Sequence, residues 1–424
     1  MRHVTRYMYI RKKTLPEWLT YYIFLFPFLS ATALEFLHLP GILKYTVDIA
    51  WILVLFFLVF TKRMSLYKRV MPFLMLVAIW FLVCFTVYLF KYQSVFYFLW
   101  GIRNNMRLYV AFLAFITFFD EEDASICIKF LDILFYVNVG VTLIQFFLLG
   151  YNQDYLGGIF GAGRGCNGYT ILFFVLVVGK SMIMYMEGHE PILSFILKSG
   201  LSLIIAAMAE LKFYIVFFVC VVVIASILTK FSWKKIQVLL FSAVLLFFSG
   251  SILIAIFGAK EELTIQRIWA LATAENYATA EDLGRFTAIP KISKTILTEW
   301  PDRLFGMGIG NCDTSAFAIC NTPFYQTHEQ LHYSWFSSAF LYLETGIIGL
   351  ILNIAFFVLS LVSALSVKRQ KASNDLFCNI AIIVSIVCII LTFYNATLRK
   401  EIGYVAYFAL ALPHISLRST TVTK

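Results

Sequence analysis

Charged residues are scarce in this chain of 424 residues, where Asp, Glu, Lys and Arg together make up 14%. Soluble proteins carry about 25% of these residues and about 45–50% apolar ones. Here 61% of the residues are hydrophobic and the mean hydropathy is +0.84. This composition excludes an ordinary soluble protein. It predicts an all-α polytopic membrane protein, in which the 44 Phe side chains mostly pack between helices or face lipid.

The sequence lacks features that are typical of several functional classes. The chain has no soluble domain, no low-complexity linker and no convincing repeat. No Cys/His pattern has the spacing of a zinc site, and Gly306–Gly310 does not follow the G-x-G-x-x-G dinucleotide pattern. We therefore expect neither a metal nor a cofactor. The formal net charge of +10 does not indicate nucleic acid, because basic cytoplasmic loops of a membrane protein account for it.

Long apolar runs predict the membrane spans. A helix needs about 20 apolar residues to cross a hydrocarbon core of about 30 Å. The basic start, residues 1–13, followed by an apolar run, is similar to a secretory signal, but a second run follows almost at once, so the first is predicted to be a retained helix. Twelve spans are predicted, near 19–37, 42–60, 70–90, 97–119, 126–149, 167–186, 192–209, 211–228, 236–257, 334–363, 377–394 and 400–417.

The basic residues predict the orientation of these spans. Short loops rich in Lys and Arg mark the cytoplasmic side of a membrane protein. With the amino terminus in the cytoplasm, that side carries the basic clusters Arg11–Lys13, Lys62–Arg63, Lys68–Arg69, Lys234–Lys235 and Lys368–Arg369. We therefore expect both termini in the cytoplasm. The acidic cluster Asp120–Asp123 falls on the same side, where a solvated helix connection is favoured over a metal site.

One long segment, residues 258–333, is not apolar. It divides the chain into spans one to nine (1–257), a large extracytoplasmic loop (258–333) and spans ten to twelve (334–424). The loop is predicted to begin with an amphipathic helix in the interface plane, with Ile265, Ile268, Trp269 and Ala272 on one stripe. A second short helix is predicted over Phe286–Leu297.

Glycines and cysteines follow in the same loop. The glycines of Gly306–Gly310 predict a tight turn that lets the backbone approach something closely. Cys312 and Cys320 lie where a disulfide is chemically permitted, but their spacing does not show that the geometry fits.

Cations gather at the predicted outer ends of the helices. Ionisable groups at membrane depth are costly, so a set of them is best explained by a ligand that needs them. Arginine suits a phosphate, because its planar fork grips two oxygens at once. Arg164, Lys212 and Arg285 are the strongest candidates. The other ionisable residues of this set are Arg103, Arg107, Glu210, Arg399 and Lys400.

Two histidines, His328 and His332, precede the tenth span. Metal ligation would need further ligands that the sequence does not identify. The open alternatives are an interfacial histidine held by hydrogen bonds and a catalytic or acceptor-orienting imidazole, since histidine titrates near neutral pH.

These features together resemble the bacterial O-antigen and capsular polysaccharide polymerases, which share a superfamily with the O-antigen ligases. The resemblance covers most of the chain and rests on the order of its elements. The most specific of these sequence elements is Glu344-Thr345-Gly346-Ile347-Ile348-Gly349. The others are Gly101–Asn105, Gly161–Arg164, Ala209–Phe213, Gly284-Arg285, Leu304–Asn311 and His332. Members of the family often carry His-Asn or His-Ser where Trp335-Phe336 stand here.

The resemblance implies a metal-independent glycosyltransferase in the bacterial inner membrane, with its active site outside the cytoplasm. Its donor and acceptor would be glycans linked to undecaprenyl diphosphate, and a chain-length regulator and a flippase would be its partners. Arg164, Arg285 and Lys212 would hold the diphosphates, with Arg103 and Arg107 in support. Arg285 would also stabilise the departing charge, and His332, His328 or Glu210 would orient or deprotonate the attacking hydroxyl.

Two alternatives remain open at this point. The nearest is a ligase that moves finished glycan onto lipid A core, which the sequence separates poorly from a polymerase. A secondary transporter or exporter with twelve helices belongs to a different class. Against it, the polar groups cluster at one face and no repeated halves are visible, whereas transporter sites lie near the bilayer midplane.

Overall fold

The computed structural model describes residues 13–60, 64–258, 266, 270, 273–276, 279, 281–315, 317–370 and 374–422, with the backbone alone for 64–69 and 418–422. Within these ranges the chain forms helices and no strand. The predicted all-α class is therefore confirmed. The predicted amphipathic helix around Ile265–Ala272 lies largely outside the described residues.

The helices follow the apolar runs closely. Twelve long ones occupy the described ranges: α1 Leu15–Ala31, α2 Thr46–Phe60, α3 Met64–Phe90, α4 Val95–Phe118, α5 Glu121–Phe147, α6 Asn167–Glu187, α7 Ile192–Met208, α8 Lys212–Leu228, α9 Trp233–Phe257, α13 Ser337–Arg369, α14 Asp375–Tyr394 and α15 Gly403–Val422. Three short helices lie in the continuously described parts of the large loop, 281–315 and 317–333: α10 Ala288–Thr295, α11 Trp300–Phe305 and α12 Pro323–His328.

Eight helical segments in the described part of the chain are long and apolar enough to cross a membrane. They are Leu15–Phe36, Gly41–Phe60, Val70–Phe90, Glu121–Phe147, Asn167–Glu187, Trp233–Phe257, Ser337–Arg369 and Asp375–Tyr394. The other predicted spans correspond to the shorter apolar helices α7, α8 and α15, and to α4, whose middle carries Arg103–Arg107.

The bundle has a buried centre and an apolar periphery. The most apolar stretch of α6 is 89% buried and that of α14 is 72% buried, whereas the corresponding stretch of α9 is only 17% buried. Large apolar side chains such as Phe247 on α9 are exposed. A periphery of this kind suits a protein surrounded by lipid, because its apolar side chains need no burial within the protein.

Connections between helices lie on two opposite sides of the bundle. The connections 32–45, 91–94, 148–166, 209–211 and 395–402 and the described residues of 258–336 share one side, here called the loop face. Contacts between them support this grouping; for example, Lys91 Nζ donates to Gly306 O at 2.8 Å. At the opposite side Lys13 pairs with Asp123, and Asn374 donates to Glu121. The loop face carries every predicted site residue.

The glycine-rich turn Gly306–Gly310 is clamped onto α4 and α13. The backbone N–H groups of Met307 and Gly308 donate to Leu343 O at 2.8 Å and Glu344 O at 3.0 Å. The buried Glu344 carboxylate accepts the N–H of Gly310 at 2.9 Å. The close approach predicted for these glycines is therefore made to the protein's own helices.

The helix α13 is broken where this turn meets it. Gly346 has φ +63°, and the helix bends there into a short arm, 337–345, and a long apolar stretch, 347–369. A Cβ on Gly346 would lie 2.3 Å from Leu304 O. The sequence predicted one continuous span here, whereas the structure places the bend against the loop.

The remaining loop predictions are met in part. The short helix predicted over Phe286–Leu297 forms as α10. Cys312 and Cys320 are both free thiols, so no disulfide joins them. Burial raises the pKa of the Cys312 thiol well above its usual range, which is typical of an inert buried cysteine.

Candidate functional site

Arg103 is held by an ion pair inside the protein. Its Nε and Nη2 atoms donate to the two carboxylate oxygens of Asp48 at 2.9 and 2.6 Å. Its guanidinium also lies over the rings of Tyr45 and Trp100. Bidentate pairs of this kind are strong and directional. A supporting role in phosphate binding would require this pair to open.

Replacing Arg103 with alanine is therefore expected to lower stability rather than substrate binding. The change removes the bidentate partner of Asp48, and charged hydrogen bonds of this type contribute roughly 1.5–3 kcal/mol. The melting temperature in detergent measures the loss. The double variant Asp48→Asn/Arg103→Ala should lose less than the sum of the single variants. An unchanged melting temperature with lost activity would contradict this interpretation.

Arg107, one turn further along α4, is also paired within the protein. It is buried, its Nη2 donates to Arg399 O at 2.9 Å, and its Nη1 lies 3.5 Å from Glu401 Oε1. Burial alone raises the pKa of Glu401, but the Arg107 and Lys400 cations outweigh it and hold that pKa below its usual value. Arg107 therefore ties α4 to the turn between α14 and α15.

Arg164 and His332 meet at one indole ring. The Arg164 guanidinium lies 5.3 Å from the centre of the Trp335 ring. The His332 imidazole stacks on the same residue, with ring centres 4.0 Å apart. Arg164 is exposed and makes no salt bridge or side-chain hydrogen bond within the described part of the chain. A cation held over an aromatic face with its donors free is suited to an anionic ligand.

His332 is held in an uncommon backbone conformation. Its φ is +50°, in the left-handed region, and its Nδ1 atom is buried with no hydrogen-bond partner among the described residues. Strained backbone often marks functional sites. His328 makes different contacts: it stacks on Phe324, and its Nδ1 contacts Thr327 Oγ1 at 2.7 Å.

Arg285 belongs to a second aromatic cluster. Its guanidinium lies 4.3 Å from the centre of the Tyr394 ring. Tyr394 in turn stacks on Phe213 of α8, with ring centres 4.5 Å apart. Phe213 follows Lys212, whose Nζ lies 3.0 Å from Glu210 Oε1. The large loop therefore brings Arg285 close to the tip between α7 and α8.

Hydrogen bonds join the two clusters through the turn after α14. Ser337, just after Trp335, donates from its backbone N and its Oγ to Asn395 O at 3.1 and 2.8 Å. Asn395 follows Tyr394 directly in the chain. Thr397 Oγ1 donates to Gly168 O at 3.2 Å. The start of α13, the end of α14 and the start of α6 are therefore neighbours.

The start of α6 also fixes the tip between α7 and α8. Asn167, three residues after Arg164, donates from Nδ2 to Ala209 O at 3.2 Å. Ala209 precedes Glu210, which is itself held at φ +54°. The structure thus gathers five of the predicted residues around the start of α6: Arg164, Glu210, Lys212, Arg285 and His332.

Arg399 is a site residue that the sequence did not single out. Its guanidinium is partly buried over the Phe340 ring, and it makes no salt bridge within the described ranges. Burial lowers its pKa, partly offset by the carboxylates of Asp313 and Glu344. The sequence shows only that Arg399 is one of the outer cations, and such a cation can simply meet lipid headgroups. The structure distinguishes Arg399 because its guanidinium lies beneath α13, over the Phe340 ring.

A small polar cavity lies beside Arg399, between α4, α13, α14 and α15. It has room for about one or two water molecules. Its polar lining consists of Asn104, Asn105, Tyr109, Ser337, Asn353, Thr392, Arg399 and Tyr407. The adjacent amides Asn104-Asn105, about two turns into the predicted span 97–119, are the sequence signal that could have indicated this cavity.

Metal ligands do not cluster in the described residues, where no three His, Cys, Asp or Glu side chains come together. The chain matches no protein-family model and no curated protein.

Proposed function

We propose that the protein is a membrane glycosyltransferase that polymerises lipid-diphosphate-linked oligosaccharide repeat units, as the resemblance to the O-antigen and capsular polysaccharide polymerases implies. One observation carries the proposal. Arg164 of the loop face makes no salt bridge or side-chain hydrogen bond among the described residues, although Arg103 and Arg107 are each paired with a carboxylate. Cations left unneutralised beside a membrane suit a lipid-linked diphosphate.

The proposed site has a donor side that holds the lipid diphosphate. Arg164 and Arg285 hold the donor diphosphate, with Lys212 near it, and His332 lies on this side because it shares the Trp335 ring with Arg164. The acceptor hydroxyl gives its proton to a base, for which His332, His328 and Glu210 are the candidates, and its oxygen forms a bond to the anomeric carbon of the donor. The bond from that carbon to the phosphate oxygen breaks, and the lipid diphosphate leaves with the electron pair. Fixed guanidinium groups stabilise the negative charge that develops there.

The proposal includes twelve spans with the loop face outside the cytoplasm. The basic loops predicted to be cytoplasmic then lie on the opposite side, as the positive-inside rule requires. Undecaprenyl-diphosphate-linked repeat units are presented at that outer surface of the bacterial inner membrane. The bent arm 337–345 of α13 and the loop would lie at the level of the lipid headgroups.

A deletion strain tests the proposal. Surface polysaccharide from the deletion strain, run as a ladder on a gel, is expected to show single repeat units, and a plasmid copy of the gene should restore the long chains. Accumulated lipid-linked polymer would instead identify a ligase. A ladder indistinguishable from the parent strain would contradict both glycosyl-transfer functions and favour a transporter.

A further inference from the structure

The Arg164 guanidinium depends on one aromatic ring for its position. Arg164 stands between Gly163 and Gly165, and glycine leaves the backbone unusually free. The exposed side chain makes no salt bridge or side-chain hydrogen bond within the described part of the chain. Glu35 lies against the same loop but forms no ion pair with it. The guanidinium lies 5.3 Å from the centre of the Trp335 ring, within the distance of about 6 Å over which a cation is attracted to an aromatic face.

The His332 imidazole depends on the same ring. The two ring centres are 4.0 Å apart and the ring planes are inclined by only 22°. The imidazole makes no hydrogen bond or ion pair among the described residues, so its stacking on Trp335 orients it. The backbone of His332 has φ +50°, a conformation that residues other than glycine keep only where their surroundings impose it.

Trp335 itself is firmly anchored. Its backbone N–H donates to His332 O at 2.9 Å, which closes the turn that brings the two rings together. The indole packs against the buried core of the large loop, which includes Leu283, Ile292 and Phe336. The ring is therefore better fixed than either of the two groups that it holds.

We propose that Trp335 is a positioning residue of the glycosyl transfer, whose indole fixes the Arg164 guanidinium relative to the His332 imidazole; this inference rests on the proposed function. Both groups contact one ring, so their separation cannot exceed the sum of their distances from its centre. Arg164 meets the donor diphosphate, and His332 lies beside it on the path of the acceptor. The indole transfers no proton. It acts through the other two side chains, because a misplacement of about 1 Å in such a site can cost about 100-fold in rate.

A platform for a sugar ring is the competing role of this indole. Aromatic side chains that line a binding site can contact the apolar surface of a ligand directly. In Trp335, however, the imidazole already covers part of the ring and the guanidinium lies over the ring as well. The contacts of the indole therefore favour a role in holding the protein's own side chains.

The test uses purified full-length protein and the lipid-linked repeat unit that accumulates in the deletion strain. Trp335→Leu keeps an apolar side chain without an aromatic face, so it should lower kcat for chain extension roughly 100-fold and leave KM for the repeat unit nearly unchanged. Trp335→Phe keeps a flat ring and should recover most of the rate. Trp300→Leu, the same change on an exposed tryptophan of the same loop, should match wild type. A wild-type kcat in Trp335→Leu would overturn the inference, and so would a loss confined to KM, which would identify a sugar platform.

Double-mutant cycles separate positioning from general support of the loop. The loss in Trp335→Leu/Arg164→Ala should be at least about fivefold smaller than the product of the two single losses, because the two residues act together. The same is expected for Trp335→Leu/His332→Ala. Losses that multiply in both cycles would show that the indole only supports the loop and would refute the inference.

Two further points keep the test decisive. Trp335→Met replaces Trp335→Leu in both cycles if the leucine variant does not accumulate as folded protein. Wild type that forms no polymer from the repeat unit would refute the proposed function and this inference with it. Wild-type kcat in the Trp335 variants would refute the inference alone.

Discussion

Replacement of Arg164 by alanine is expected to leave the protein folded and to slow chain extension by roughly two to three orders of magnitude, the usual cost of one preorganised charge-stabilising group. The fold should tolerate the change, because Arg164 is exposed and its one interaction within the described residues is with the Trp335 ring. The loss should fall on the chemical step, since the charge on the leaving diphosphate grows as the bond breaks.

Three further variants make this expectation specific. Arg164→Lys keeps the charge but loses the planar fork, so it should fall between wild type and Arg164→Ala. Lys294→Ala removes an exposed cation of the large loop and should extend chains normally. Arg285→Ala should behave like Arg164→Ala. Polymer of wild-type length from both arginine variants, measured on gels at equal expression, would remove the basis of the assignment.

Replacement of Gly310 by alanine is expected to cause the largest loss of stability. Gly310 has φ +81°, and a Cβ there would lie 1.9 Å from Tyr97 O. The left-handed backbone costs a residue with a side chain roughly 1–2 kcal/mol, and overpacking adds about 1–3 kcal/mol. The sum is a large share of the about 5–15 kcal/mol that stabilises a typical domain.

The chain offers a matched control in Gly140 on α5. A Cβ at Gly140 would meet nothing within 4 Å, and alanine is a better helix former than glycine. Gly140→Ala should therefore leave the melting temperature in detergent unchanged or slightly raised, whereas Gly310→Ala should lower it strongly or prevent accumulation of folded protein. Equal melting temperatures for the two variants would show that the turn is not clamped.

The helices could be predicted because one property, the length of an apolar run, determines where they form. A run of apolar residues long enough for a membrane forms a helix whatever it packs against, so the predicted span 211–228 and the helix Lys212–Leu228 nearly coincide. The bend in α13 could not be predicted in this way. Gly346 leaves the helical conformation because the backbone of Leu304 docks there, and that contact joins segments distant in sequence.

The contacts of the candidate site were harder still to predict, because they also join segments distant in sequence. Sequence identifies an arginine at the end of a span, but it does not show which carboxylate neutralises it. Arg103 meets Asp48 from another helix, and Arg107 meets Glu401 near the other end of the chain. Conversely, Trp335 looked like a departure from the family pattern, yet its ring brings Arg164 and His332 together.

The clamped turn Gly306–Gly310 has a consequence for substrate exchange. Its backbone bonds to α13, and Lys91 and Gln93 before α4 bond to its carbonyl groups. Such a turn cannot swing aside as a lid between catalytic cycles, because several backbone hydrogen bonds would have to break each time. A lipid-anchored chain would then enter and leave laterally, along the plane of the bilayer. Turnover would depend on lipid diffusion and bilayer fluidity more than on a hinge in this turn.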